Sequence, residues 1–454
     1  MTNLLVKHPE VLDFIKDQRI LSSAIKEHID ELMTHHQEGL SRLDMFLMRY
    51  SHIEHISNQS LHGLRILPAA VSYLSSALNS YPIPGTFLIK KGLYLDLRNV
   101  TNKVIFSRNI LKFIEQIRNL PQPTAQKISL VNMGHIAIQR IKDPLLENQV
   151  GKIWTLDVTK NMGLSIKDIM AKQMVEDALK DKSLNLSKII VEGTSGNTGA
   201  GLALVAAAYG IKTILVIPSK MSQEKINRLV LLGAHVIVTP TKVEALSPFS
   251  YYSVRDYVAE YSKGWKASQY DNLSNRKAHE QVTGPEIWEQ TRGKITTLIA
   301  TAGTCGTISG IAEHLKKKNK KIKIIAVDTM GSILYLLHMG YSIHEVEKYA
   351  TSYTIQGFGE DIHPQNLNAK LIDQFIRISD ADGLYMTRYP PLIGFVPGQS
   401  SGAAYAALWQ LVKRKEITKN DNVVVIFPDT GIPYRKDVFN NDWVKAQGLK
   451  HILY

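Results

Sequence analysis

Lys167 closes the stretch Asn161-Met162-Gly163-Leu164-Ser165-Ile166-Lys167 and opens another, Lys167–Lys180, with helical spacing. A lysine amine kept deprotonated attacks carbonyl compounds and forms an imine. By itself the residue says little, since most lysines are solvated surface charges. A second segment, Thr194-Ser195-Gly196-Asn197-Thr198-Gly199, separates the apolar run Lys188–Val191 from the small-residue stretch Ala200–Ala208. A helix N-terminus there offers free N–H groups and a positive dipole end, which suit a carboxylate. Thr194, Ser195 and Thr198 add hydroxyls, and Asn197 an amide. A polar turn capping a buried helix accounts for the same residues equally well. A third segment, Gly303-Thr304-Cys305-Gly306-Thr307, precedes a helical stretch from Ile308. Its glycines and threonines allow backbone N–H groups to converge on a phosphate. Cys305 reads as a compact filler of that turn and not as a nucleophile.

These segments need a scaffold. After residue 125, β-branched runs alternate with helices: Lys188–Val191, Thr213–Ile217, His235–Val238, Thr297–Ala300, Ile322–Val327 and Val423–Phe427, with helices such as Gly201–Tyr209 and Ile308–Lys317. The pattern predicts an α/β fold with buried, mostly parallel strands. Ligands of such sheets bind beyond the carboxyl ends of the strands, where the second and third segments lie. Residues 1–120 read mainly helical, with Val11–Gln37, Leu40–Tyr50, Ala69–Leu78 and Val104–Ile117 as helices and a hairpin turn at Lys91-Gly92. Pro121-Gln122-Pro123-Thr124 breaks the pattern. The expected domains are therefore a helical extension over 1–124, its role open, and a catalytic domain over 125–454.

Composition narrows the partners. Lys and Arg number 54 against 41 Asp and Glu, a net charge of +13, which could serve nucleic acid or acidic membranes. The one dense basic run, Lys316–Lys321, ends a helix, where cations complement the dipole. Neither nucleic acid nor a membrane is expected as a partner. A single cysteine excludes an intrachain disulfide and a cysteine zinc cluster, and it suits a reducing cytosol. The N-terminus lacks the basic start and long apolar run of a signal peptide. Leu64–Leu78 is interrupted by Arg65, Pro68 and serines, too polar to span a membrane. His28, His35, His36, His52 and His55 read as solvated helix residues, and no metal site is expected.

An imine-forming lysine, a carboxylate cradle and a phosphate cradle are what pyridoxal 5′-phosphate and an amino-acid substrate require. At this point a resemblance becomes specific. Residues about 128–448 resemble the fold-type II pyridoxal phosphate enzymes (tryptophan synthase β-like, two α/β subdomains), within them the cysteine synthase and cystathionine β-synthase group. Met133–Arg140 resembles the motif I-G-N-T-P-L-V-R, and Asn161–Asp168 resembles N-P-G-G-S-V-K-D. Thr194–Gly199 matches T-S-G-N-T-G without change. Gln269–Asn272 followed by His279 and Thr283–Trp288, then Gly398–Ala403, then Pro428–Gly431, resemble Q-F/Y-x-N … H … T-G-P-E-I-W, G-x-S-S-G-A and P-D-S-G.

The resemblance implies roles. Lys167 would carry the cofactor and act as acid and base at Cα. Asn197 would contact the cofactor's 3′-hydroxyl. Thr194, Ser195, Gly196, Thr198 and Gln269 would hold the substrate carboxylate. Gly303, Thr304, Cys305, Gly306 and Thr307 would hold the phosphate. Thr430 would face the pyridine nitrogen, with Asp429 beside it as a structural carboxylate. The activity implied is β-replacement on serine or an O-activated serine through an aminoacrylate intermediate, in a cytoplasmic homodimer. Serine/threonine dehydratases share the fold and lysine but carry S-x-G-N-H, where here Thr198 follows Asn197. A non-catalytic binding or regulatory protein is the alternative of another class. The chain departs from the group at His135, Ala137, Met162, Leu164, Ile169 and Ile355–Pro364. These positions bear on which substrate and nucleophile are used.

Overall fold

The computed structural model describes residues 92–125, 136–241, 243, 247–389 and 394–453, all within one unit running from Lys90 to Tyr454. The helices expected before residue 79, and half of the expected hairpin, lie outside the described residues.

Eleven strands form two sheets among the described residues. The first has the order β1-β6-β5-β4-β7, all parallel: β1 Tyr94–Asp96, β4 Ile190–Gly193, β5 Thr213–Pro218, β6 His235–Thr239 and β7 Trp265–Lys266. The second has the order β10-β9-β8-β11-β3-β2: β2 Ile138–Ile141, β3 Lys152–Leu156, β8 Thr297–Thr301, β9 Lys323–Thr329, β10 Gln374–Ile378 and β11 Asn422–Val425. It is parallel except for β2, which runs antiparallel along β3. Central strands are covered on both faces, so β5 and β6 are buried at every residue. That is why these sequences read as continuous apolar runs and not as alternation.

Eight helices of nine residues or more lie among the described residues: α1 Lys103–Asn119, α2 Lys167–Lys180, α3 Asn197–Tyr209, α4 Gln223–Leu231, α5 Tyr251–Ser262, α6 Gly306–Lys318, α7 Asp380–Arg388 and α8 Gln399–Lys413. Helix α3 is apolar nearly all round and buried from Thr198 to Ala206, as expected of a central helix. Its Gly201 admits α2: a Cβ there would lie 3.0 Å from Ala171 Cβ and 3.1 Å from the Lys167 carbonyl. A small residue thus brings the lysine helix onto the helix that follows the carboxylate turn.

The strands expected near 190, 213, 235, 297, 323 and 423 are all present, as are helices α2, α3 and α6. Four short strands were not foreseen. Of these, β3 carries a tryptophan and a lysine in place of a clean apolar run, and β7 has only two residues.

The boundary expected at 124/125 falls inside the packed unit. Strand β1 pairs in parallel with β6, from Tyr94 opposite Val236 to Asp96 opposite Val238. Helix α1 is capped by Asn102, which accepts from the Val104 and Ile105 amides at 3.0 and 3.1 Å. It buries Phe106, Ile110, Phe113, Ile114 and Ile117 against strands of the first sheet. Buried Lys212, at the start of β5, donates to the Ile117 and Arg118 carbonyls at 3.0 and 3.2 Å. The proline break ends α1 without ending the domain.

Candidate active site

Lys167 is the first residue of α2, and the turn before it is tightly tied. The Asn161 amide donates to the Ser165 carbonyl at 2.7 Å, and the Gly163 N–H to Asp168 at 2.5 Å. A Cβ at Gly163 would lie 2.1 Å from that carboxylate, so only glycine fits. Leu164 takes a left-handed φ of 49°. The Ile166 N–H donates to the Pro428 carbonyl at 2.7 Å, and Ser165 bridges to Asp429, so the segment after β11 clamps the lysine loop. The Lys167 amine enters a cavity lined also by Asn197, Gly303, Thr304, Thr307 and Asp429. Burial pushes its pKa down, opposed by the neighbouring carboxyls of Glu360 and Asp429. A lysine so held is poised to lose its proton and attack a carbonyl carbon.

The second segment forms the expected turn. Gly196, with φ of 135°, precedes α3 in a conformation that a side chain would strain. The Thr194 hydroxyl accepts from the Gly196 and Gly199 amides at 2.9 and 3.1 Å. The Thr198 hydroxyl donates to Gln269 Oε1 at 2.6 Å, and Gln269 Nε2 donates to the Gly193 carbonyl at 3.0 Å. Buried Glu192 fixes Gln269 from behind by accepting its backbone N–H at 3.1 Å, and burial pushes that carboxyl up to about 7. Ser195 stays exposed. Thr194, Ser195, Gly196, Thr198 and Gln269 are therefore one constellation, although two of the hydroxyls are committed to protein partners.

The third segment leads into α6. Cys305 adopts a left-handed φ of 62° before the first helical residue and makes no side-chain cap, leaving the helix N–H groups directed outward. A Cβ on Gly306 would sit 2.1 Å from Asn275 Oδ1. Asn275 donates to Thr304 Oγ1 at 3.1 Å. Thr307 Oγ1 lies 3.2 Å from His279 Nε2, and His279 Nδ1 lies 2.8 Å from Thr283 Oγ1. Burial, reinforced by the Lys167 charge, pushes His279 down to about 3, so the ring is neutral. The Cys305 thiol is pushed well up by burial and donates to the Gly303 carbonyl at 3.2 Å. A filler behaves this way, and a nucleophile does not.

At the mouth of β11, Asp429 accepts from Asn197 Nδ2 and from the Tyr434 hydroxyl, both at 2.7 Å. Beside it, Thr430 is buried with its hydroxyl unpartnered. An orphaned hydroxyl, an uncapped helix N-terminus behind glycines, and a cavity amine are together what a ring nitrogen, a phosphate and an aldehyde would complete. The residues fit pyridoxal phosphate. Sequence reasoning placed Glu360 in the divergent Ile355–Pro364 segment that bears on the nucleophile, and assigned no role to Tyr270, Asn275 or His279. Glu360 Oε1 lies 3.7 Å from where a Cβ would stand on Gly303, which lines the Lys167 cavity, and burial pushes the Glu360 carboxyl up to about 8. The adjacency of Tyr270 to Gln269 was the one signal available for it.

Two α/β layers of mostly parallel strands, with a helix-borne lysine and two glycine- and hydroxyl-rich turns around one cavity region, define the architecture of a cofactor-dependent enzyme. Residues 138–429 match the family described as pyridoxal-phosphate dependent enzyme, and the chain belongs to that family, with pyridoxal phosphate as its cofactor. Among curated relatives, the cystathionine beta-synthase of Apis mellifera is 40% identical over 293 residues, 64% of this chain and 56% of that one. The cystathionine beta-synthase of Saccharomyces cerevisiae is 38% identical over 298 residues, 64% and 58% of the two chains. The chain thus spans little more than half the length of these relatives. A cysteine synthase of Buchnera aphidicola is 35% identical over 286 residues, 63% of this chain and 87% of that one. Among solved structures, O-ureido-L-serine synthase shares the fold, with a TM-score of 0.62 at 24% identity over 70% of this chain and 98% of that one. A hydrogen sulfide-producing enzyme of Fusobacterium nucleatum gives a TM-score of 0.61 at 28% identity, covering 69% and 100%.

Proposed function

We propose that the chain catalyses β-replacement on serine or an O-activated serine, exchanging the β-substituent for a nucleophile to yield cysteine or a related β-substituted alanine. The observation that carries the reading is the convergence of the Lys167 amine, the Thr194–Gly199 turn and the Gly303–Thr307 turn around one cavity region. Likeness to cystathionine beta-synthases and a cysteine synthase supports it. When bound, pyridoxal phosphate supplies an electron sink for negative charge at the substrate Cα.

The chain's own residues do the rest. Lys167 holds the cofactor, takes the Cα proton, and returns it at the end. Ser195, the backbone N–H groups of the turn and Gln269 bind the α-carboxylate at the positive end of α3. Gly303, Thr304, Cys305, Gly306 and Thr307 hold the phosphate on the N–H groups that open α6. Asn197, steadied by Asp429, faces the cofactor's hydroxyl. Thr430 offers the ring nitrogen a hydroxyl, which cannot keep that nitrogen protonated as a carboxylate would. A hydroxyl at Thr430 would therefore suit elimination, in which electrons leave with the β-group, over transamination.

The test is absorbance spectroscopy of the holoenzyme with serine, O-acetylserine, O-phosphoserine and threonine. A new long-wavelength band with an activated serine, discharged by an added nucleophile, is the expected result. Silence with all four compounds, or oxo-acid release from threonine alone, would reject the reading.

A further inference from the structure

We propose that Glu360, positioned by Tyr270, is the base that receives a proton from an incoming amine, making a primary amine the preferred nucleophile of this enzyme. The inference rests on the β-replacement reading and names the chemical class of its second substrate.

The Glu360 backbone is tied on both sides. Its N–H donates to Ser332 Oγ at 3.0 Å, and its carbonyl accepts from the Ile333 N–H at 3.0 Å and from Ser332 Oγ at 3.1 Å. Two glycines with φ of 96° and 78°, Gly357 and Gly359, turn the chain just before it, and the Gly359 N–H is anchored on the Ala302 carbonyl at 2.7 Å. The side chain is thereby delivered to the site. Its Oε1 lies 3.7 Å from where a Cβ would stand on Gly303. Buried Tyr270 acts on both Glu360 and Tyr251, and the Tyr251 ring lies against Gly193 at the base of the carboxylate turn. Gly303 lines the cavity that also holds Lys167, so Glu360 stands at the edge of that cavity. In this proposal a substrate with its nitrogen at Lys167 and its carboxylate at Thr194–Gly199 would direct its β-carbon toward Glu360.

A carboxyl there discriminates between nucleophiles by proton count. Hydrosulfide adds as an anion and has no proton to lose. A neutral amine gains positive charge as its lone pair forms the C–N bond, and an N–H proton must leave. That proton passes to the Glu360 carboxylate. The C–O bond to the leaving group has by then broken, with its electron pair departing on oxygen, so no oxidant or reductant is needed. Lys167, Asp361 and Asp328 are the charged groups that act on Glu360. Burial raises its proton affinity into the range where it both accepts and releases a proton near neutrality. Neighbouring Asp361 is exposed to solvent.

The experiment loads the full-length holoenzyme with O-acetylserine or O-phosphoserine. It offers ethylamine, glycine and sulfide in competition, and products are read by mass spectrometry. Amine adducts should dominate for the wild type. The amine-to-sulfide product ratio should fall by about 100-fold in Glu360→Gln, the scale of general-base catalysis, and fall less in Tyr270→Phe. Asp361→Asn should keep the wild-type ratio. A second readout is saturation-transfer NMR of ethylamine on borohydride-reduced, inactive enzyme, where Glu360→Gln should lose the signal. Sulfide as the preferred acceptor of the wild type, or an unchanged ratio in Glu360→Gln, overturns the proposal while leaving β-replacement intact. No spectral response to any serine derivative rejects β-replacement itself, and this proposal with it.

Discussion

Asn197 and Asp429 lie 232 positions apart and meet through one hydrogen bond of 2.7 Å. It ties the first turn of α3, beyond the first sheet, to the segment leaving β11 of the second. Asp429 also accepts from Tyr434. Asp429→Ala strands two donors in a buried setting, at about 1–3 kcal/mol each. Urea denaturation of the cofactor-free protein should show a lowered midpoint. An unchanged midpoint would mean that the bond contributes nothing to holding the two halves together.

Lys167 should be the sole site of covalent cofactor attachment. Borohydride reduction followed by peptide mapping should place the pyridoxyl group on the peptide containing Lys167, and Lys167→Ala should lack the imine absorbance. A label on Lys225, the other buried lysine near Asp429, would contradict the assignment.

Gly306→Ala should loosen the cofactor without abolishing the fold. The new methyl would meet the Asn275 side chain, which supports Thr304. A rise of about 10-fold or more in the cofactor dissociation constant is expected, corresponding to about 1.4 kcal/mol. Equilibrium dialysis measures it, and tight retention would show that the turn is not the phosphate cradle.

Glu360 gives the cofactor-free protein a specific pH dependence. Its carboxyl is pushed from an ordinary 4.5 up to about 8 in the folded state, chiefly by burial and then by Asp361. Between those values the folded chain holds a proton that the unfolded chain has lost. This contribution to stability is thus fully present below about pH 4.5 and is lost as pH rises through about 8. Asp168 and Glu192, each raised to about 7 by burial, act in the same sense. Glu360→Gln is neutral in both states. Its thermal midpoint should therefore decline less between pH 5 and 8 than that of the wild type. Parallel declines would show that Glu360 is not protonated in the folded chain.

Residues 92–120 should be indispensable to the fold. A chain beginning at Gln126 lacks strand β1 and the five buried side chains of α1, and should be insoluble or molten by circular dichroism and heteronuclear NMR. Lys212→Met, which removes the cation from the α1 carbonyls, should cost about 1–3 kcal/mol. A cooperatively folded chain from Gln126 would restore the boundary at Pro121.

The sequence alone carried the strands, the three turns and the cofactor. Apolar β-branched runs of sufficient length have few alternatives to buried parallel strands. The motif order Lys167, Thr194–Gly199, Gly303–Thr307 and Thr430 is chemically specific because each local turn demands its glycines and hydroxyls. Local demand of this kind is legible from neighbouring residues. The short strands β3 and β7 and the membership of α1 in the domain were not legible, because they depend on partners far along the chain. β1 is a strand because β6 stands beside it, and α1 ends where Lys212 meets its carbonyls. The same holds for Glu360. In the sequence, Glu360 and Asp361 are adjacent carboxylates with equal claims to solvent. The tertiary structure turns one toward Gly303 at the edge of the Lys167 cavity and leaves the other exposed, because the turn at Gly357–Gly359 and the anchor on Ala302 fix which way each residue faces.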